Sequence, residues 1–401
     1  MQLLQLCNRV PFPLIDGGAI AMFALTKSFT DAGCEVHTLA INTRKHFVDT
    51  NTIPKWFLEK TKLYTVDANT DVSIVGAVAN LFSSSSYNLV RFNIPAFHQK
   101  LKELLQQNKY DVVQLEGLFL AAYIPTIREN SNALISLRAH NVEFLIWERM
   151  AATTESPLKK WYLTLLAKRL KREEIGVLKQ VDCIVPISTV DEATYRQLGA
   201  TVPMLICTGG VDENLLLLEK KDWEQNSLFH LAAMNWQPNI QAVDWLMEKV
   251  WHLVNHKFQE LKVYLAGKDM PARFFEMQSR VIHVSGRVDD AYDFMLSKNI
   301  MLVPLLSGSG MRIKIIEGLA LGKVIISTSI GAEGIECTHK KNILIANTAE
   351  EFASAIELAM TDKVLCQKIA EGARELVQLK YTNSSIVKRL LGFYAEQLKQ
   401  L

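Results

Sequence analysis

Ser307-Gly-Ser-Gly-Met-Arg-Ile-Lys-Ile-Ile-Glu317-Gly-Leu-Ala-Leu-Gly322-Lys-Val-Ile-Ile-Ser-Thr328 is the stretch on which the reading of this chain turns. The apolar run Ile300-Met-Leu-Val-Pro304 ahead of it reads as a strand, and Val324-Ile-Ile-Ser327 as the next one. Between them a glycine-rich turn opens a short helix that a second glycine stops. Glycines at 308 and 310 let backbone N–H groups approach a ligand closely, and the helix start directs its positive end to the same place. Arg312 and Lys314 add cations in the first turn, where the helix dipole disfavours them, so their placement points to an anion such as a phosphate. Glu317 is placed to meet a neutral hydroxyl-bearing group beside it. Diphosphate plus ribose is the simplest ligand with that layout, and Ser309, Gly310 and Met311 lie within the same loop.

Working outward, strand-like runs alternate with helical periodicity throughout. They fall at Gln2–Cys7, Glu35–Ile41, Asp111–Leu115, Ala133–Arg138 and Cys183–Ile187 in the first half. In the second they fall at Leu228–Ala233, Lys262–Ala266, Val281–Val284, Ile300–Pro304 and Val324–Ser327. This alternation predicts βαβ units, hence parallel sheets with helices on both faces. A chain of 401 residues exceeds one ordinary core. The turn chemistry of Thr208-Gly-Gly-Val-Asp212 and the polar run Glu219–Asn226 mark the break. The expected architecture is therefore α/β, two doubly wound Rossmann-like domains over residues 1–212 and 213–379. The amphipathic C-terminal segment, with Ile386, Leu390, Phe393, Tyr394 and Leu398 apolar, is expected to cross back onto the first domain over 380–401.

A net charge of +2 argues against a nucleic-acid binder, and 49% apolar with 21% charged residues suits a globular protein. The cysteines at 7, 34, 183, 207, 337 and 366 form no Cys-x-x-Cys pair, which reads as reduced structural thiols in the cytoplasm. Met1–Cys7 has no basic stretch and reads as a first strand rather than a signal peptide, and no apolar run approaches the ~18 residues a bilayer span needs.

In open α/β sheets ligands sit beyond the carboxyl ends of the strands, so other strand-end loops are candidates. Pro13-Leu-Ile-Asp16-Gly17-Gly18-Ala19 can bring helix-start amides near a phosphate or a reacting sugar; the plain reading is a tight loop. His140, in Leu137-Arg-Ala-His-Asn-Val-Glu143, is placed to hydrogen-bond a sugar hydroxyl or a developing charge. Met234-Asn-Trp-Gln-Pro-Asn239 opens the first helix of the second domain but carries no cation, and Arg287 after a later strand is a candidate to supply one. The segment Lys159–Arg172 is amphipathic and basic; a solvated domain helix and a peripheral contact with an anionic membrane at the inner face of the plasma membrane are its two readings.

Taken together, the Gly17-Gly18 loop, Arg138–Glu143, Gly209-Gly-Val-Asp212, Met234–Asn239, Gly308–Glu317 and Ser327-Thr-Ser-Ile-Gly331-Ala-Glu-Gly334 resemble the family 4 glycosyltransferases. These are retaining enzymes of the two-domain GT-B fold that use nucleotide-sugar donors. Two departures stand out. The family's pattern places a Glu eight positions before Glu317, where this chain has Ser309, and its Arg and Lys pair after the first strand of the second domain is replaced by Asn235–Asn239. The chain looks closer to a subgroup carrying Gly-Ser-Gly-x-Arg-x-Lys, in which Arg312 and Lys314 take over the phosphate charge.

The resemblance implies a hexosyltransferase that moves a sugar to an acceptor hydroxyl with retention, in polysaccharide or glycoconjugate biosynthesis. The domains would face each other across a cleft, the first toward a sugar, glycan or lipid-linked acceptor and the second toward the donor. Glu317 would bind ribose and His140 the donor sugar, the two being the catalytic candidates. Gly17, Gly18, Arg287, Ser309, Gly310, Met311, Arg312 and Lys314 would line the donor site. No metal or other cofactor is expected, because cations and amides cover the diphosphate and no Asp-x-Asp triplet occurs. Rival readings are a nucleotide-sugar epimerase or hydrolase on the same architecture, and a non-catalytic nucleotide-sugar-binding relative. An oxidoreductase is disfavoured, since no Gly-x-Gly-x-x-Gly follows the first strand.

Overall fold

The computed structural model describes residues 1–14, 17–219, 222–308 and 311–400, and for Ile74 the backbone alone. The chain forms two compact units, Met1–Gly209 with Ile386–Leu401, and Gly210–Ser385.

The first unit is built on a six-stranded parallel sheet in the order β3-β2-β1-β4-β5-β6. Its strands are β1 Gln2–Cys7, β2 Glu35–Thr43, β3 Leu63–Ala68, β4 Val112–Glu116, β5 Leu134–Ala139 and β6 Cys183–Pro186. The register runs Leu3↔Val36 toward β2 and Leu3↔Val112 toward β4, so β1 is central. Continuous apolar strands such as Cys183-Ile-Val-Pro186 are buried along their whole length, as a sheet covered on both faces requires. One core layer, with Leu6, Val113, Leu115 and Phe97, lies on one face. On the other, Leu3, Val36, Val112 and Cys183 pack against Leu25 and Phe29 of helix Gly17–Asp31. The C-terminal helix Asn383–Leu398 closes this second layer with Ile386, Val387, Leu390 and Tyr394, the apolar stripe expected from its periodicity.

The second unit repeats the plan. Strands β7 Glu224–Leu231, β8 Lys262–Ala266, β9 Ile282–Gly286, β10 Lys298–Val303, β11 Val324–Ser327 and β12 Leu344–Ile345 form a parallel sheet in the order β12-β11-β10-β7-β8-β9. Counted from its own first strand this is the same winding as the first unit. Two strands escape the sequence reading. β3 is an edge strand, half-buried along most of its length, so its Leu63-Tyr-Thr-Val-Asp-Ala68 lacks the continuous apolar run of its neighbours. β12 has only two residues, too few for a periodicity to show.

This strand order fixes where a ligand can go. The winding reverses between β1 and β4 in the first unit and between β7 and β10 in the second, and the crevice opens beyond the carboxyl ends of those pairs.

Candidate functional site

In the second unit, the loops leaving β7 and β10 meet at that crevice. Trp236 comes from the first loop and Arg312 from the second, and the Arg312 guanidinium lies 5.1 Å from the centre of the Trp236 ring. Gly308 holds φ +106°, and a Cβ there would stand 2.6 Å from the Trp236 ring and 3.0 Å from Arg312 Nη2. Glycine is required at 308 both by backbone conformation and by the close approach of the indole. Ser307 Oγ donates to Gln241 Oε1 at 3.1 Å, tying the loop to helix Gln237–Trp245. Burial pulls the Arg312 guanidinium below its usual pKa, while the charge of Glu333 acts the other way.

Arg312 is the N-cap of helix Ile313–Ala320, and its own side chain makes no capping hydrogen bond. The first turn of the helix holds no acidic residue, an arrangement suited to an anion brought from outside. One turn on, Glu317 is mostly buried. Its Oε1 accepts from the Tyr292 hydroxyl at 3.0 Å and its Oε2 lies 2.8 Å from Lys314 Nζ. Lys314 is thus engaged with Glu317 rather than directed with Arg312. Tyr292, in helix Ala291–Leu296, is absent from the sequence reading; burial and then the Glu317 carboxylate push its phenol well above its ordinary range. Met311 packs beside Gly334, and the turn after β11 is pinned by Gly331 N donating to Thr328 Oγ1 at 2.9 Å. Arg287 is exposed after β9, an edge strand two places from the β7–β10 crevice. Ser309 and Gly310 lie outside the described residues.

In the first unit, the crevice between β1 and β4 is backed by a buried charge network. Glu116, the last residue of β4, is fully buried. Its Oε2 lies 3.0 Å from Arg138 Nη1 and 2.7 Å from His140 Nε2, and its Oε1 accepts from Gln5 Nε2 at 2.6 Å. Burial would raise its pKa, but the charge of Arg138 and the hydrogen bond from His140 hold it down at about 2. An ionised carboxylate can only accept, so Nε2 of His140 must carry its proton and Nδ1 is left as the acceptor when the ring is neutral. His140 itself is partly exposed at the end of β5.

The loop after His140 is clamped in turn. The buried Glu174 accepts from the Glu143 and Phe144 amides at 3.2 and 3.1 Å, and the Tyr195 hydroxyl donates to it at 3.0 Å. Burial, then the charge of Glu174, raise Glu143 to about 7. Sequence reasoning singled out His140 but missed Glu116 and Glu174. The available signal for Glu116 was a carboxylate ending an otherwise buried strand, two residues after Gln114.

Gly17 and Gly18 open helix Gly17–Asp31 above β1. A Cβ on Gly17 would meet nothing within 4 Å. Among the described residues no packing requires glycine there, which leaves room for a ligand as the reason. Gly17→Ala is therefore expected to leave the melting temperature unchanged or raise stability by up to about 1 kcal/mol. The same change should weaken binding of a ligand seated against this turn by roughly tenfold or more. A melt and a binding titration on one preparation separate the two effects.

With this geometry in view, residues 225–362 match the family described as glycosyl transferases group 1. That stretch resembles a group 1 glycosyl transferase domain. It spans β7 to β12 and contains Trp236, Tyr292, Arg312, Lys314 and Glu317. A Klebsiella pneumoniae protein described as an uncharacterized 44.6 kDa protein in the cps region is 23% identical over 303 residues, 72% of this chain and 75% of that protein. Among solved structures, HepE of Anabaena in complex with UDP superposes with a TM-score of 0.63 at 14% identity, over the full length of both chains. Sucrose-phosphate synthase of Thermosynechococcus elongatus gives 0.65 at 14%, again over both full lengths. These likenesses show the fold, GT-B with two Rossmann-like domains, as the sequence led one to expect. Among the described residues no helix is long and apolar enough to cross a membrane.

Proposed function

We propose that this chain is a retaining hexosyltransferase of family 4 type that moves a sugar from a nucleotide-sugar donor to an acceptor hydroxyl during polysaccharide or glycoconjugate synthesis. One observation carries the reading: within the stretch that matches the group 1 glycosyl transferases, a helix start free of acidic residues, Arg312 and Glu317 stand together on the loop and helix after β10. The solved complexes of HepE with UDP and with UDP-glucose and the cps-region relative support a nucleotide-sugar donor and a glycan acceptor.

In this reading the second unit holds the donor. The diphosphate meets the amides at the start of helix Ile313–Ala320 and the Arg312 guanidinium, which stabilise the negative charge that grows as the bond to the sugar breaks. Glu317 receives the ribose hydroxyls, its carboxylate already oriented by Tyr292 and Lys314. The first unit serves the acceptor side, where His140 meets a sugar hydroxyl, with Glu116 holding the imidazole in one tautomer. No metal step is invoked, since Arg312 and the helix amides meet the diphosphate.

A panel of nucleotide sugars screened for thermal stabilisation identifies the donor, because a ligand that binds only the native state raises the melting point. The reading fails if no nucleotide sugar stabilises the protein and none is turned over with any acceptor extract. With the donor in hand, Glu317→Gln is expected to lower kcat/KM by about 10- to 100-fold, the worth of one charge-assisted hydrogen bond. Most of that loss should appear in KM for the donor, and steady-state kinetics checks it.

A further inference from the structure

The first unit also carries a surface that neither its core nor the proposed site explains. From Val72 to Val90 no residue is charged, yet several of its apolar side chains face solvent while Ser86, Tyr87 and Asn88 anchor it inward. Phe82 is 92% exposed, Val75 80%, and Val72 and Val78 also face solvent. Helix Pro157–Val177 lies beside it. Arg169 donates to the carbonyls of Asn80 and Leu81 at 2.8 and 2.9 Å, Arg172 donates to Ser84, and Glu173 accepts from the Ser86 amide at 2.9 Å. The contacts fix the uncharged strip against the helix, with Val72, Val75, Val78 and Phe82 left facing solvent. On the same helix Leu158 is 76% and Trp161 55% exposed. From Ser156 to Arg172 the helix carries six cations and no acidic residue.

Such a surface mixes two chemistries. Protruding aliphatic and aromatic groups gain by leaving water, and flanking lysines gain by meeting negative charge. The apolar groups stand proud rather than lining a groove, which fits a deformable apolar medium better than a rigid partner. Trp161 is of the type that settles where hydrocarbon meets headgroup. We propose that this face, built from Val75, Val78 and Phe82 with Leu158, Trp161 and the lysines of helix Pro157–Val177, docks the protein on an anionic lipid bilayer. Phe82 and the valines enter the headgroup boundary while Lys159, Lys160 and Lys168 meet lipid phosphates.

The test needs no sugar donor, so its outcome is separate from that of the transferase reading. Full-length protein is floated with phosphatidylcholine vesicles, with and without phosphatidylglycerol. Expected is recovery with the anionic vesicles only, weakened by added salt. Two double variants, Val75→Ser with Phe82→Ser and Lys159→Glu with Lys160→Glu, should each lose about tenfold or more in partitioning, with unchanged thermal melts because all four side chains are exposed. Equal partitioning of wild type and both variants, or no recovery with anionic vesicles, overturns the proposal. A wild-type dimer in sedimentation equilibrium that the Val75→Ser, Phe82→Ser variant dissolves would also overturn it, assigning the face to a second copy of this chain.

Discussion

Arg312→Ala is expected to reduce turnover of the nucleotide-sugar donor by about 10²- to 10³-fold while the protein stays folded, because removing one preorganised positive group from a site of developing charge has a cost of that order. Three features of the second unit set this expectation. Arg312 precedes a helix whose first turn holds no acidic residue, so its charge and the helix amides converge on one place. Its guanidinium is oriented by the Trp236 ring at 5.1 Å, which removes part of the side-chain entropy that a bound anion would otherwise have to overcome. Its nearest counterpart along the helix, Lys314, is held by Glu317 at 2.8 Å. Lys314→Ala should therefore cost less in kcat than Arg312→Ala and should raise KM through a loosened Glu317. The change at 312 forfeits about 0.5–1 kcal/mol of cation–π contact, a small fraction of a domain's stability. A thermal melt beside the kinetic assay decides the matter. Comparable losses of folding and turnover would make Arg312 a structural residue. Arg312→Lys should not restore full activity, since an ammonium lacks the planar fork and the stacking face.

How much of this could be read from the sequence follows from the range over which each signal acts. The signals around the 307–317 segment are local, with glycines, helix start and first-turn cations all within ten residues, and among the described residues the structure forms the turn at Gly308 and the helix from Ile313 where the sequence places them. The parallel sheets are legible for a similar reason, because strands buried on both faces must be continuously apolar. β3 and β12 escaped because an edge strand and a two-residue strand do not need that pattern. Side-chain partners across strands were out of reach. Nothing near Glu116 in sequence announces Arg138, and nothing near Glu317 announces Tyr292, twenty-five residues earlier. These pairs exist only once the strand order is known. The same limit affected Lys314, which local reasoning assigned to phosphate and the structure pairs with Glu317.

Glu116→Gln is expected to be among the most destabilising single changes in the chain, at roughly 3–5 kcal/mol, because it leaves Arg138 charged and without its carboxylate in a buried setting. Arg138 is as buried as Glu116, and the pair shares its pocket with Gln5, Gln114, Cys7 and Cys207. The network reaches the C-terminal helix, where the Tyr394 hydroxyl donates to Gln114 Oε1 at 2.7 Å and lies 2.9 Å from Ser136 Oγ. Loss of the charge at 116 should consequently loosen that helix, and amide exchange in residues 386–398 reports it. The pH dependence has a definite sign. Glu116 falls from its ordinary 4.5 to about 2 in the folded protein. A depressed carboxylate pKa gives stability that is fully present above the unfolded value and is lost as the pH drops toward the folded one, here across about pH 4.5 to 2, with a total of about 3 kcal/mol. Wild-type denaturant melts should lose that increment over this range, and Glu116→Gln should not show it. The double change Glu116→Gln with Arg138→Met removes the orphaned cation and should recover a large part of the loss, since a buried pair replaced by neutral groups of like size is often close to neutral in stability. The double variant also separates structure from chemistry. It restores the fold but leaves His140 facing an amide in place of a carboxylate, so the imidazole is no longer bound to one tautomer. If Glu116 positions His140 for transfer, the folded double variant turns over slowly and its pH–rate profile shifts. If its role is support alone, the recovered fold brings back wild-type turnover with an unchanged profile.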